Sequence, residues 1–111
     1  MHFAVRKRLL NQYRLWIRFA MRRERLLAEA RPSECRALYI LRRGKRLLDY
    51  GNLVGGMKLL VDAIVRENLL FDDSPAWVHD TYAQQICKTP ATLIWVGRVG
   101  EPCPLIKETP C

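Results

Sequence analysis

The sequence predicts an α+β fold: one small domain in which a mixed sheet of a few strands packs against two helices. Three observations predict it. Apolar residues recur at three- and four-residue intervals in two separate stretches, the spacing that gives a helix one buried face. Short runs rich in Tyr, Ile, Val and Trp follow these stretches, bounded by charges, Gly and Pro. The 111 residues suffice for one domain of roughly 100–150 residues and not for two.

The first periodic stretch runs from about Asn11 to Ala30, with Tyr13, Trp16, Ile17, Ala20, Met21 and Leu27 on one face. Another face stacks Arg14, Arg18, Arg22 and Arg25 into a cationic stripe, either an ordinary solvated face or one that tracks phosphates. Pro32 and Ser33 end the helix, because the residue before proline is pushed out of helical geometry. Glu34 to Arg42, with Leu38, Tyr39, Ile40 and Leu41, reads as a largely buried strand, and Gly44 with Lys45 and Arg46 forms the turn after it. A second helix is expected between Asn52 and Asn68, with Leu53, Met57, Leu60 and Ile64 on one face and Asn52 as N-cap. Gly55 and Gly56 weaken its start, so helical geometry is expected to settle from about Met57. Phe71 to Pro75 is an acidic loop, and Val78 to Cys87 alternates as a strand, with Val78, Asp80, Tyr82, Gln84 and Ile86 on one side. Ala91 to Val99 is the clearest strand. The domain is expected to span residues 1–100, and the prolines at 102, 104 and 110 mark residues 101–111 as a tail.

A net charge of +8 suits a polyanionic partner better than a small-molecule substrate. The charge is uneven: residues 1–50 carry fourteen Lys or Arg against four acids, whereas residues 51–111 carry five against seven. One part of the chain can attract phosphates while the other offers carboxylates. Cys35, Cys87, Cys103 and Cys111 contain no C-x-x-C pair, which argues against zinc, and the first residues lack the apolar core of a signal peptide. The even count permits two disulfides, but reduced thiols and a cytoplasmic location are the expectation. No apolar stretch approaches the ~20 residues that span a bilayer.

Three carboxylates stand out, Asp49 before the second helix and Asp72 and Asp73 after it. If the helix returns the chain to the same end of the sheet, they meet, and hard oxygen ligands there suit Mg²⁺ or Mn²⁺. Turn formation and helix capping explain the same residues without a metal. Likewise, Lys58, Asp62 and Arg66 at four-residue intervals make an ordinary surface ladder of charges. His79 has no ligand partner at metal spacing, and Ser74 has no His–Asp partner pattern for nucleophilic catalysis. Trp16, Trp77 and Trp95 are candidates for the core, an interface or base stacking, and Trp77 stands closest to the acidic loop.

The wording of this region adds to that reading. Leu48-Asp49-Tyr50-Gly51-Asn52-Leu53, then Lys58, Asp62-Ala63 and Leu70-Phe71-Asp72-Asp73-Ser74-Pro75, resembles the RusA family of crossover junction endodeoxyribonucleases, the Holliday junction resolvases. That family has a D-x-D-N-L stretch opening a helix, a lysine four residues before an Asp-Ala pair, and a D-D-S-P-like loop. The resemblance covers residues 44–78 and is looser outside them, where the family's proline-containing N-terminal strand has no counterpart. It implies a Mg²⁺-dependent homodimer that nicks four-way DNA junctions in pairs. By position, Asp49 and Asp73 match metal-binding aspartates, Asp72 lies adjacent, and Lys58 matches a lysine for catalysis or DNA contact. Gly51 stands where the family has the second aspartate of D-x-D, which removes one ligand and one negative charge. Arg22, Arg25, Arg42, Arg43, Lys45 and Arg46, with Lys58, are the expected contacts to the phosphates of branched DNA. Two other functions fit the same chain: a junction-binding protein that has lost cleavage through Gly51, and a small basic structural or interaction protein.

Overall fold

The computed structural model describes residues 3–24 and 32–105. Its elements run α1 (Phe3–Arg23), β1 (Arg36–Gly44), α2 (Tyr50–Arg66), β2 (Val78–Ile86) and β3 (Ala91–Arg98). The three strands form one sheet in the order β2-β1-β3, so the chain has the α+β class and mixed sheet that the sequence predicts. β1 lies in the centre, parallel to β2 from Arg36↔Val78 to Gly44↔Ile86 and antiparallel to β3 from Arg36↔Arg98 to Arg43↔Ala91. Its central place explains its near-continuous apolar run: Leu38, Ile40 and Leu41 are all buried.

The two helices pack on one face of this sheet. Leu10, Ile17 and Met21 of α1 and Leu53, Met57, Val61, Ala63 and Ile64 of α2 close over Leu38, Ile40 and Val78. Leu53, Met57, Val61 and Ile64 recur at four- and three-residue steps, with Ala63 beside them, so one stripe supplies the buried face of α2. That burial outweighs the glycines. Gly55 and Gly56 each cost about 1 kcal/mol relative to alanine, yet the helix runs unbroken from Tyr50 rather than settling from Met57. α1 likewise starts at Phe3, ahead of the expected Asn11, and Leu10 extends its buried stripe by one turn. The expected stretch 25–30 lies outside the described residues.

The termini of α2 are specified locally. Asp49, and not Asn52, is the N-cap: its backbone is extended and its carboxylate accepts from the Asn52 N–H. At the other end Asn68 takes a positive φ of 65°. Its N–H donates to the Val65 carbonyl and the Leu69 N–H donates to that of Ile64, which satisfies the last turn as a left-handed C-terminal residue allows.

Glu67, the C-cap of α2, is the one buried charged residue among those described. A carboxylate at the negative end of a helix is unfavourable by itself, and α1 supplies the remedy. Arg14 Nε donates to Glu67 Oε2 at 2.8 Å, and Arg18 donates through Nε and Nη2 to both oxygens. The expected cationic stripe on α1 is therefore split: Arg14 and Arg18 are committed to Glu67, Arg22 is exposed, and Arg25 lies outside the described residues. Burial alone would raise the Glu67 carboxyl, but the hydrogen bonds and charges of Arg18 and Arg14 carry it below its ordinary value.

The cysteines depart from expectation. Cys35 and Cys103 are free, whereas Cys87 is disulfide-bonded.

Glu67→Gln is expected to lower unfolding free energy by about 2 kcal/mol at neutral pH, the scale of hydrogen bonds to a charged group. Because the folded carboxyl lies below its unfolded value, its contribution is present above about pH 4.3 and lost as pH falls through the folded value. Urea denaturation of both proteins from neutral pH down to about 3 checks this: the gap between them should close in acid.

Candidate functional site

The side chains of β2 alternate, so Val78, Asp80, Tyr82 and Gln84 share one face. Val78 and Tyr82 pack against the helices, which carries Asp80, between them, to the same side. α2 meets this face with Val54, Lys58, Val61 and Asp62, which fall along one side of the helix. Between the two elements lies a cleft of about 470 Å³, whose remaining walls are Arg6 of α1 and Asp73 of the loop before β2. That volume falls within the ~300–1,000 Å³ of pockets that hold small ligands.

The cleft carries both signs of charge. Tyr82 donates its hydroxyl to Asp80 Oδ2 at 2.7 Å. Burial first, and then this hydrogen bond and the nearness of Asp80, Tyr50 and Asp73, push the Tyr82 hydroxyl far above its ordinary value. It therefore stays a proton donor at any physiological pH and holds Asp80 in place. Asp62 lines the cleft one turn after Lys58 but pairs with Arg66 at 3.6 Å, so half of the expected charge ladder forms.

Lys58 and Asp73 are the expected site residues that the structure brings together. Asp72 turns to its own loop: the Asp73 N–H first, and then the Ser74 hydroxyl and N–H, hold its carboxyl below the usual range. Asp49 lies elsewhere. Its Oδ1 accepts from the Asn52 N–H and its Oδ2 from Asn52 Nδ2, both at 2.8 Å. The reason is topological. β2 is parallel to β1, so α2 carries the chain from one end of the sheet to the other, and the Asp72-Asp73 loop follows the helix end remote from Asp49. The expectation that the helix returns the chain to the same end of the sheet does not hold. Among the described residues no group of three or more His, Cys, Asp or Glu is placed to hold a metal ion.

Gly51 sits in the first turn of α2, and a Cβ there would lie 3.5 Å from Asp49 Oδ1, an ordinary contact. An aspartate fits sterically, beside the Asp49 carboxylate and at the positive end of the helix.

The basic residues at the end of β1 are partly engaged. Arg42 Nη1 donates to the Arg46 carbonyl and Arg43 Nε to Gln85 Oε1, while Lys45 and Arg46 are exposed beyond the strand. Leu48 exchanges two hydrogen bonds with the Gln84 side chain, which ties this basic turn and the start of α2 to β2. His79 is exposed, and Trp77 stacks on Phe71 with ring centroids 4.2 Å apart, so it serves the loop.

Arg6, Asp80 and Tyr82 were not singled out by the sequence. Asp80 did leave a signal, a carboxylate on the apolar side of an alternating strand. Arg6 left none, because the start of α1 lacks the regular apolar spacing seen after Asn11. No family model, curated protein or solved structure matches the chain.

The geometry at Asp49 separates capping from chemistry. Asp49→Ala is expected to lower stability by about 1 kcal/mol, whereas Asp49→Asn, an equally good cap, leaves it within about 0.3 kcal/mol of the parent. Chemical denaturation of the two variants checks this.

Proposed function

We propose that the chain is a RusA-like endonuclease for four-way or branched DNA, with cleavage weakened at Gly51. The observation that carries the reading is the cleft that holds Lys58 and Asp73, both expected from the resemblance, beside a second carboxylate, Asp80. Mg²⁺ is commonly held by one or two carboxylates together with substrate phosphates and water, and Asp73 and Asp80 fit that minimum; Mn²⁺ accepts the same donors. When bound, the ion would polarise a phosphodiester and lower the pKa of a coordinated water. The chain's own part is positioning. Tyr82 fixes Asp80, Lys58 offers a positive charge to a phosphoryl oxygen, and the basic turn around Lys45 and Arg46 holds the DNA backbone.

Gly51 and the capping role of Asp49 favour a second reading, a protein that binds junctions without cutting them. A labelled synthetic four-way junction, incubated with Mg²⁺ or Mn²⁺, tests both. The parent chain is expected to nick slowly. Gly51 shares the flank of α2 that carries Val54 and Lys58, so Gly51→Asp, which adds a carboxylate one turn before the cleft, should raise the rate by at least about tenfold, the effect of ~1.4 kcal/mol in charge stabilisation, and Asp73→Asn should abolish nicking in either background. Junction binding with no nicking by any variant supports the second reading, and absence of junction binding in EDTA refutes both.

We also propose a homodimer. Leu15, Trp16 and Phe19 support it: all three are exposed within five residues of α1, a larger apolar display than a small monomer needs. No helix among the described residues is long and apolar enough to cross a membrane. Sedimentation should show a dimer for the parent chain and a monomer for Phe19→Glu, with unchanged circular dichroism.

A further inference from the structure

Beside the mixed-charge cleft lies a second, smaller one of about 270 Å³, lined by Arg6, Gly55, Lys58 and Leu59. Arg6 and Lys58 belong to both, so the two cations stand on the ridge where the clefts meet. Neither makes an ion pair among the described residues, although Asp62, Asp73 and Asp80 line the adjoining cleft. Asp62 takes Arg66 instead, and Asp80 takes the Tyr82 hydroxyl. Two unpaired cations brought together from different helices are a charge-assisted anion receptor without an internal anion.

Gly55 makes the same point independently. It lies inside α2, where glycine is costly, and no left-handed backbone requires it. No neighbour requires it either: a Cβ at 55 would meet nothing within 4 Å. The missing side chain therefore leaves a bare strip of helix backbone facing the cleft that Arg6 and Lys58 border. Glycine at such a place suits close approach by a ligand from outside.

We propose that Arg6 and Lys58 clamp one backbone phosphodiester of a nucleic acid over the bare helix surface at Gly55, before and independently of any metal. The inference rests on the DNA-binding reading above and specifies its contact. Lys58 supplies a point charge and Arg6 a planar fork that grips two oxygens. The phosphodiester would enter along the smaller cleft and lie next to Asp73 and Asp80, as an attack on it requires.

The test is fluorescence anisotropy with a labelled linear duplex and a labelled four-way junction, both in EDTA. It uses the full chain, Arg6→Gln, Lys58→Gln, Gly55→Ala and, as a control, the remote Arg98→Gln. For a phosphate contact, the slope of log affinity against log salt should fall by about one in Arg6→Gln and in Lys58→Gln. Gly55→Ala should raise the melting temperature by about 4 °C, as alanine does in a helix, and still weaken binding several-fold. A salt slope for Arg6→Gln equal to that of Arg98→Gln overturns the clamp, and so does a Gly55→Ala protein that is more stable and binds as well as the parent. If junction and duplex bind equally but the two slopes fall, the junction reading fails and the clamp stands. A parent chain that binds neither DNA overturns both.

Discussion

The parallel pairing of β1 with β2 is the constraint on which the other arrangements depend. Two strands running the same way cannot be joined by a tight turn, so the chain must cross back over the sheet, and α2 with its following loop is that crossing. The crossing fixes the apolar stripe of α2 against Leu38, Ile40 and Val78 and puts the adjoining flank beside Asp80 and Tyr82. It also sends Asp49 to one end of the helix and Asp72-Asp73 past the other. α1 then closes the core and is held in place by a charge at the far end of the crossing, Glu67.

Much of this was legible in the sequence because it depended on local periodicity. The apolar run of β1 and the stripe through Leu53, Met57, Leu60 and Ile64 each report which face is buried without reference to the rest of the chain, whereas the alternation from Val78 onward marks a strand but no evenly buried side, since Asp80 and Ile86 are exposed. The errors came where two elements had to be placed relative to each other. Asp49 and Asn52 are both good capping residues, and only the backbone geometry decides that the first caps while the second donates to it. Arg14 and Arg18 read as part of a surface stripe because Glu67, their partner, is about fifty residues away in sequence. The candidate site was half visible for the same reason. Lys58 and Asp73 belong to a recognisable wording, whereas Arg6 and Asp80 reach the cleft only through the packing of α1 and β2 around it.

The site is also short of negative charge compared with what the resemblance implies. Gly51 removes one carboxylate, Asn52 occupies both oxygens of the next, and backbone and hydroxyl donors hold Asp72. Of the carboxylates that line the cleft, Asp62 pairs with Arg66, which leaves Asp73 and Asp80 beside Arg6 and Lys58. Under the proposed reading, such a balance suits holding a phosphate better than hydrolysing it, since binding needs the cations alone whereas hydrolysis would also need the carboxylates to hold a metal ion.

The central place of β1 has a consequence for how the chain is made. Arg36 pairs with Val78 on one side and Arg98 on the other, so the middle strand is synthesised long before either neighbour exists. While the ribosome produces α2 and the acidic loop, Leu38, Ile40 and Leu41 have no sheet to join. The first long-range contact on offer is between the helices, where Glu67 emerges to meet Arg14 and Arg18. Helix pairing before sheet closure would keep the nascent apolar strand covered during that wait, and folding limited by such late pairings is intrinsically slow.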